Sequence, residues 1–139
     1  MAGQIVEQPV AAQLVVQKFG GSSVGDAERI RRVAQRIARA RATGADLVVV
    51  VSAMGDTTDE LLQLADAITG GGEPDPRELD MLLATGEHQS ATLVSMALHA
   101  LGVKAISLTG AQAGITTDEA HGRARIANVE PRRVRKELD

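Results

Sequence analysis

The sequence predicts an α/β fold, in which a mostly parallel sheet lies between helices as an incomplete three-layer α/β/α sandwich. Apolar runs of strand length, at residues 14–17, 47–51 and 104–108, are separated by longer segments with helical periodicity. Strands that alternate with helices favour right-handed crossovers and parallel pairing. Phe19 is the only aromatic residue, so the core must be aliphatic, as is typical of buried parallel strands and their covering helices.

The first part of the chain predicts a tail at residues 1–12, a strand at 14–17 and an amphipathic helix from Asp26 to about residue 43. Gly44 is the expected helix stop. Four apolar residues share one face of this helix: Ile30, Val33, Ile37 and Ala38. Six arginines occupy its other faces: Arg29, Arg31, Arg32, Arg36, Arg39 and Arg41. A solvated helix surface is the ordinary interpretation of such a run, and a surface for nucleic acid or polyphosphate is the alternative.

The unbroken apolar run 47–51 is typical of a central strand covered on both faces. After the small-residue loop 52–56, the capping box Thr57-x-x-Glu60 predicts the start of a second helix. The remaining elements are predicted in order: a loop at 70–76, helices at 77–85 and 87–101, a strand at 104–108, a loop at 109–122, a short strand at 125–129, and a helix from Pro131 to 139.

Composition limits the function classes. The chain has 139 residues, a single-domain size, and its formal charge of −3 argues against nucleic acid as the main partner. It has no cysteine, and its three histidines lack close metal-ligand spacing, so we expect no metal site built by the protein. No apolar run approaches the roughly 20 residues of a membrane span, and no signal peptide is apparent, so a cytoplasmic location is expected.

The glycine turn, which we define as residues 18–23 (Lys-Phe-Gly-Gly-Ser-Ser), directly follows the first strand. Its glycines let backbone N–H groups approach anionic oxygens, and Lys18 adds a positive charge. The order of residues is neither that of a Walker A loop nor that of a dinucleotide fingerprint. A tight turn with no ligand is the alternative, because glycine commonly supplies positive φ.

Further polar residues lie at the next predicted turns. Ser52, Thr57 and Thr58 carry hydroxyls around the start of the second helix, where capping alone would explain them. Glu87 follows Gly86 and is most simply a first-turn acid. Because the carboxyl ends of parallel strands meet at one sheet edge, we expect these turns to lie close to the glycine turn.

Five segments, in order, resemble the aspartate kinases of the amino-acid kinase family, most closely those of high-GC Gram-positive bacteria. They are 18–24 (KFGGSSV), 51–61 (VSAMGDTTDEL), 79–90 (LDMLLATGEHQS), 109–115 (TGAQAGI) and 121–126 (HGRARI). The resemblance implies phosphoryl transfer from Mg-ATP to the side-chain carboxylate of L-aspartate, which gives 4-phospho-L-aspartate, an early step towards lysine, threonine and methionine. His88 departs from the pattern, since many relatives have arginine there.

The resemblance also implies roles for particular residues. Lys18 would neutralise charge on the transferring phosphoryl group, and Mg²⁺ would arrive with the nucleotide. The residues implied to contact the ATP phosphates are Lys18, Phe19, Gly20, Gly21 and Ser22. The residues implied to surround aspartate are Ser52, Asp56, Thr57, Thr58, Asp59, Glu60 and Glu87, with Leu138 and Asp139 from the end of the last helix.

Residues 13–139 resemble the N-terminal part of the catalytic domain, and the family's C-terminal half and regulatory ACT domains have no counterpart in the sequence. We therefore expect the chain alone to be inactive or nearly so. An uncovered sheet edge also predicts a homo-oligomer or another association. A non-catalytic half-fold that binds aspartate, a phosphate compound or a partner kinase chain is the alternative function.

Overall fold

A computed structural model describes residues 13–139, so the predicted tail at 1–12 lies outside the described part of the chain. The elements in chain order are β1 (Leu14–Phe19), a 3₁₀ turn (Gly21–Val24), α1 (Ala27–Ala42), β2 (Asp46–Val51), α2 (Thr57–Thr69), α3 (Pro76–Ala100), β3 (Ile115–Thr117), β4 (Ile126–Val129) and α4 (Arg132–Leu138).

Strands β1 and β2 pair in parallel, with Leu14 opposite Asp46 and Phe19 opposite Val51. Helix α1 makes the crossover between them, which confirms the predicted α/β fold with a parallel sheet and flanking helices. The side chains of β1 alternate, so that Phe19 is buried whereas Val16 is 65% exposed. One face of this sheet therefore carries the helix layer, and the other is open.

The core lies between this sheet and the pair α1 and α3, which pack against each other. Phe19 and Val24 contribute from the β1 end, and Val94 and Leu98 contribute from α3. The buried face of α1 consists of Ile30, Val33, Ala34 and Ile37. The helical period in the sequence predicted three of these four residues, and all six arginines remain on the outer faces.

Helix α3 corrects the prediction of two helices at 77–85 and 87–101, because it continues through Gly86. Asp75 caps its start by accepting hydrogen bonds from the N–H groups of Arg77 (2.9 Å) and Glu78 (3.1 Å). A glycine inside a helix costs about 1 kcal/mol relative to alanine. The tertiary contact of Gly86, described below, outweighs this local preference.

The predicted third strand at 104–108 is wrong, since these residues have no strand partner in the described part of the chain. The loop predicted at 109–122 instead contains β3, which pairs antiparallel with β4. Within the described residues β2 pairs only with β1, and Val50 is 46% exposed, so the prediction of a strand covered on both faces also fails.

The capping box predicted at Thr57-x-x-Glu60 does not form. Thr57 is the first residue of α2, Asp56 occupies the N-cap position, and no side chain caps this helix. At the chain's last helix, Pro131 is the N-cap residue and α4 ends at Leu138. Among residues 13–139, no helix combines the length and apolar character needed to cross a membrane.

Candidate functional site

The glycine turn presents a row of free backbone donors at the end of β1. Gly20 is extended (φ −74°, ψ 170°), and the 3₁₀ turn that follows is closed by a hydrogen bond from the Ser23 N–H to the Gly20 carbonyl at 2.9 Å. The N–H groups of Gly20, Gly21 and Ser22 have no hydrogen-bond acceptor among residues 13–139. Consecutive free N–H groups in a turn form a concavity suited to an anion.

The two side chains that precede the glycines have different surroundings. Lys18 is exposed on the open face of β1, and none of the ion pairs within residues 13–139 involves it. Phe19 points into the core, where its ring lies 5.8 Å from the Arg36 guanidinium carbon. Lys18 is therefore available to a ligand, whereas the Phe19 side chain belongs to the fold.

The loop after β2 packs directly on the glycine turn. The Ser52 N–H donates to the Phe19 carbonyl (3.1 Å), and the Gly55 N–H donates to the Gly21 carbonyl (3.1 Å). A Cβ atom at Gly21 would lie 2.8 Å from the Ala53 carbonyl oxygen. Gly21 is therefore a glycine because of this backbone contact, which joins the predicted phosphate and aspartate regions.

Helix α3 reaches the same loop from the other side. A Cβ atom at Gly86 would lie 2.9 Å from the Ala53 Cβ and 3.4 Å from the Thr57 Cγ2. One residue later, Glu87 Oε1 lies 3.4 Å from the Ala53 amide nitrogen and accepts its hydrogen. Ala53 is 4% exposed, so the glycine turn, the loop and Glu87 all meet at one buried alanine.

An open cleft of about 690 Å³ lies beside this contact. Four of its lining residues belong to the predicted site: Ser22, Asp56, Thr57 and Glu60. The others are Gly25, Arg29, Met54, Gly55 and Gln89. The lining thus combines a guanidinium, two carboxylates and a carboxamide, a set that suits a polar ligand carrying both signs of charge.

Other predicted site residues lie outside this cleft. Thr58 and Asp59 are exposed in the first turn of α2. Leu138 and Asp139 end the chain at α4, and no described hydrogen bond or ion pair joins them to the glycine turn or the loop after β2.

The turn at residues 109–112 is closed by its own side chains. The Thr109 N–H donates to Gln112 Oε1 (3.0 Å), and the Gln112 N–H donates to Thr109 Oγ1 (3.1 Å). These two polar side chains therefore have partners within their own turn. The end of the segment contacts more distant residues instead, since the Gly114 carbonyl accepts the Glu130 N–H at 2.8 Å and Ile115 pairs with Val129.

Sequence reasoning missed Ala53, Arg29 and Gln89. An alanine carries no chemical signal, and only the close approach of Gly21 and Gly86 identifies it. Arg29 was hidden among six arginines of one helix, although its spacing of three residues from the N-cap Asp26 places it at the helix start.

Asp26 is the acidic residue next to the glycine turn, and it interacts with Arg29. The pKa of Asp26 is lowered from its usual 3.8, chiefly because the carboxylate accepts the Arg29 N–H, with a further contribution from the Arg29 charge. The two side chains also form an ion pair of 3.3 Å. Within residues 13–139, no three His, Asp or Glu side chains are grouped closely enough to hold a metal ion.

Comparison with known proteins identifies similar sequences and folds. Residues 13–139 match the model of the amino acid kinase family. The aspartokinase of Mycolicibacterium smegmatis is 59% identical over 126 residues, which are 91% of this chain and 30% of that protein. The chain thus spans about 30% of the length of the curated relatives it matches.

Two solved structures share the fold. The aspartate kinase from Synechocystis superposes with a TM-score of 0.68 at 57% identity, over 73% of this chain and 17% of that one. Escherichia coli aspartokinase III in complex with aspartate and ADP gives a TM-score of 0.68 at 23% identity, over 82% of this chain and 34% of that one. From the family match and the shared fold, this chain belongs to the amino acid kinase family.

Proposed function

We propose that residues 13–139 supply the phosphate-binding turn and part of the aspartate site of an aspartate kinase. The reaction transfers the terminal phosphoryl group of Mg-ATP to the side-chain carboxylate of L-aspartate, which yields 4-phospho-L-aspartate and ADP for lysine, threonine and methionine biosynthesis. The contact between Gly21 and Ala53 is the observation that carries this proposal, because it brings the glycine turn against the loop that follows β2. The identity of 59% to an aspartokinase supports the choice of substrate.

The chemistry requires little beyond positioning and positive charge. An aspartate side chain with a pKa of about 4 is ionised at neutral pH, so its oxygen can attack the terminal phosphorus without a general base. One oxygen–phosphorus bond forms as the bond to the ADP oxygen breaks. The difficulty is the repulsion between the carboxylate and the triphosphate, which preorganised N–H donors and a cation reduce.

The described residues fit these requirements on the phosphate side. The N–H groups of Gly20, Gly21 and Ser22 would hold phosphate oxygens, and Lys18 would neutralise the transferring group. Mg²⁺ carried by ATP would neutralise further phosphate charge.

On the aspartate side, Glu87 would bind the substrate ammonium group. Its Oε1 already accepts the Ala53 N–H, whereas Oε2 has no hydrogen-bond partner among the described residues. Ser52 and Thr58 would complete the surroundings of the substrate. In the cleft, Asp56, Thr57 and Glu60 supply the polar lining from the start of α2.

A hybrid enzyme tests the proposal. The 126 aligned residues of the M. smegmatis aspartokinase are replaced by those of this chain, and aspartyl phosphate is measured as its hydroxamate. We expect activity, and we expect Lys18→Met to lower kcat about 100-fold because a charge aimed at the transferring group is lost. Lys104→Met removes another exposed lysine, which does not line the cleft, and is the matched control.

Two outcomes would contradict the proposal: a folded hybrid with no turnover, or a Lys18→Met variant with unchanged kcat. Calorimetric titration of the 139-residue chain with aspartate and with Mg-ATP tests the alternative function, in which the chain binds a ligand without catalysis. Binding by a chain whose hybrid has no turnover would favour a non-catalytic half-fold.

A further inference from the structure

Arg29 links the glycine turn to the first turn of α1. Its Nη1 donates to the Ser22 carbonyl at 2.9 Å, and its Nε lies 3.3 Å from Asp26 Oδ2. The other Asp26 oxygen, Oδ1, accepts the Arg29 N–H at 2.8 Å. One guanidinium therefore contacts both the glycine turn and the residue that caps the helix.

The Ser22 carbonyl is the atom of the glycine turn that Arg29 contacts. It belongs to the turn whose three free N–H groups face no protein acceptor in residues 13–139. A hydrogen bond from a charged donor is shorter and stronger than one from a neutral donor, and a planar guanidinium restricts the geometry of its acceptors. Arg29 thereby limits the rotation of the Ser22–Ser23 peptide, which directly follows the row of free donors.

The neighbouring arginines of α1 do not share this arrangement. Arg32 pairs with Glu28 (3.1 Å), Arg36 lies over the Phe19 ring, and Arg41 contacts the Ala45 carbonyl (3.0 Å). Of the four, only Arg29 also lines the cleft. The contact is therefore particular to one position and is not a general property of the arginine-rich helix.

We propose that Arg29 is a positioning residue that holds the Gly20–Ser22 donors in the arrangement that binds phosphate. The inference rests on the proposed function for the identity of the anion. Arg29 acts through its contacts with Ser22 and Asp26. This role does not require Arg29 to contact the anion itself. A lysine at this position could contact one partner at a time, because an ammonium lacks the planar fork of donors.

Hydrogen exchange on the 139-residue chain tests the positioning directly. The amides of Ser23 and Gly55 report on the turn, since they donate to the Gly20 and Gly21 carbonyls. We expect Arg29→Gln to raise their exchange rates about threefold to tenfold, in line with the loss of one charged hydrogen bond. Arg32→Gln, on the same helix, is the matched control and should leave both rates unchanged.

Kinetics of the hybrid enzyme test the functional consequence. We expect Arg29→Gln to raise the KM for Mg-ATP about threefold to tenfold and to lower kcat, because the same N–H donors stabilise the phosphoryl transfer, with the KM for aspartate changed less than twofold. Arg29→Lys should show more than half of that increase in the KM for Mg-ATP. A general loss of stability would not raise the KM for one substrate alone.

The two proposals fail in different ways. An inactive parent hybrid counts against the kinase function, and the positioning role is then decided by the exchange of Ser23 and Gly55 alone. An active parent in which Arg29→Gln behaves like Arg32→Gln in both measurements overturns the role of Arg29. Faster exchange only in Arg29→Gln supports it.

Discussion

Residues 14–100 and residues 101–139 are stabilised in different ways. The first region contains the buried core of Phe19, Val24 and the facing sides of α1 and α3. In the second region Val103 and Ala105 pack against this core, but every residue of β3 and β4 is exposed, and these two strands are joined by hydrogen bonds to each other. Asp118 Oδ1, for example, accepts the N–H groups of Ala120 (3.2 Å) and Arg125 (3.1 Å).

The candidate site lies in the packed region, and this placement has a physical reason. Free N–H donors that stabilise a phosphoryl transfer must be held in position before the substrate arrives. Close packing at Ala53 provides that rigidity, because atoms in contact on several sides cannot shift independently. In the exposed region the comparable close approach is between Gly114 and Glu130, which lie outside the candidate site. We therefore expect substitutions in the two regions to differ in how strongly they change stability and in how far the change extends through the structure.

The largest effect is expected from Gly21→Ala. The added methyl would lie 2.8 Å from the Ala53 carbonyl oxygen, so the turn or the loop must move. Overpacking of this kind costs about 1–3 kcal/mol, and we expect the free energy of unfolding to fall by that amount, measured by urea denaturation. The shift should also break the hydrogen bond from the Gly55 N–H to the Gly21 carbonyl.

Gly20→Ala is the matched control one residue earlier. A Cβ atom there would meet no atom within 4 Å, and its φ of −74° suits alanine. Fewer conformations in the unfolded chain should then leave stability unchanged or raise it by up to about 1 kcal/mol. Equal losses for the two variants would contradict the tight contact between the glycine turn and Ala53.

Gly86→Ala, alone and combined with Ala53→Gly, should produce the next largest effect on stability. Helix propensity alone would make Gly86→Ala stabilising by about 1 kcal/mol. The added Cβ would lie 2.9 Å from the Ala53 Cβ, and this close contact opposes the gain. Overpacking costs about 1–3 kcal/mol, which exceeds the gain from helix propensity, so we expect a net loss of stability. Adding Ala53→Gly removes the opposing methyl.

A double-mutant cycle gives the measurement. We expect the paired variant to recover about 1–2 kcal/mol relative to the sum of the single variants, since the two sites are in contact. Ala45→Gly combined with Gly86→Ala is the control, because Ala45 is a buried alanine elsewhere. Additive losses in the Ala53 pair would show that α3 does not pack on the loop through these two atoms.

Sequence patterns predicted the packed region better than the exposed one, for a physical reason. In α1 the apolar period and the cap residue Asp26 agree with the fold, because local propensity and burial favour the same helix. At Gly86 they conflict, and the tertiary contact decides. In the 104–108 segment an apolar run resembled a strand but has no strand partner among the described residues, and no sequence pattern reports the partner.

For the candidate site, the sequence predicted that the turns after β1 and β2 lie close together, but it did not predict the residue at which they meet. The residue types of Lys18 and the glycines predicted a phosphate turn, whereas Glu87 was most simply a first-turn acid and only the family resemblance implied a place beside aspartate. Their meeting point, Ala53, carries no group at all and is defined only by three-dimensional contacts. Arg29 was visible as a charge, but its partner Ser22 is bonded through a backbone carbonyl, which any residue possesses.

Asp80→Ala should have a smaller and more local effect. Asp80 Oδ2 accepts the Gly122 N–H at 2.9 Å and lies 3.4 Å from His121 Nδ1, so it joins the exposed region to α3. We expect amide exchange of Gly122 to rise several-fold while the global free energy of unfolding falls by about 1 kcal/mol or less. Asp66→Ala, on the exposed α2, is the control.

A cooperative loss of core protection in Asp80→Ala would contradict the separation of the two regions. Exchange at Ser23, which reports on the glycine turn, should stay at its original rate. If it changes, the exposed region contributes to the candidate site, and the contrast between packed and exposed regions is weaker than the contacts indicate.

The smallest effect is expected from Asp26→Asn, because both partners of this ion pair are about half exposed. Asparagine can still accept the Arg29 N–H as a cap, so the substitution removes mainly charge. The pKa of Asp26 is lowered in the folded chain, so the folded state binds its proton less readily than the unfolded chain does. The stabilisation is therefore complete above the usual value of 3.8 and is lost as the pH falls through the folded value.

Denaturation of both proteins from pH 7 towards about pH 2.5 measures this contribution as the difference between their curves. The difference should be constant near neutrality and should shrink below pH 3.8, with Asp66→Asn showing no such change. Salt then separates the causes, since it screens the attraction of Arg29 and Arg32 for the carboxylate but leaves the backbone hydrogen bond in place. Because asparagine keeps the cap, the difference at pH 7 should shrink in high salt, and a difference that high salt leaves unchanged would contradict the conclusion that the Asp26 charge supplies this stabilisation.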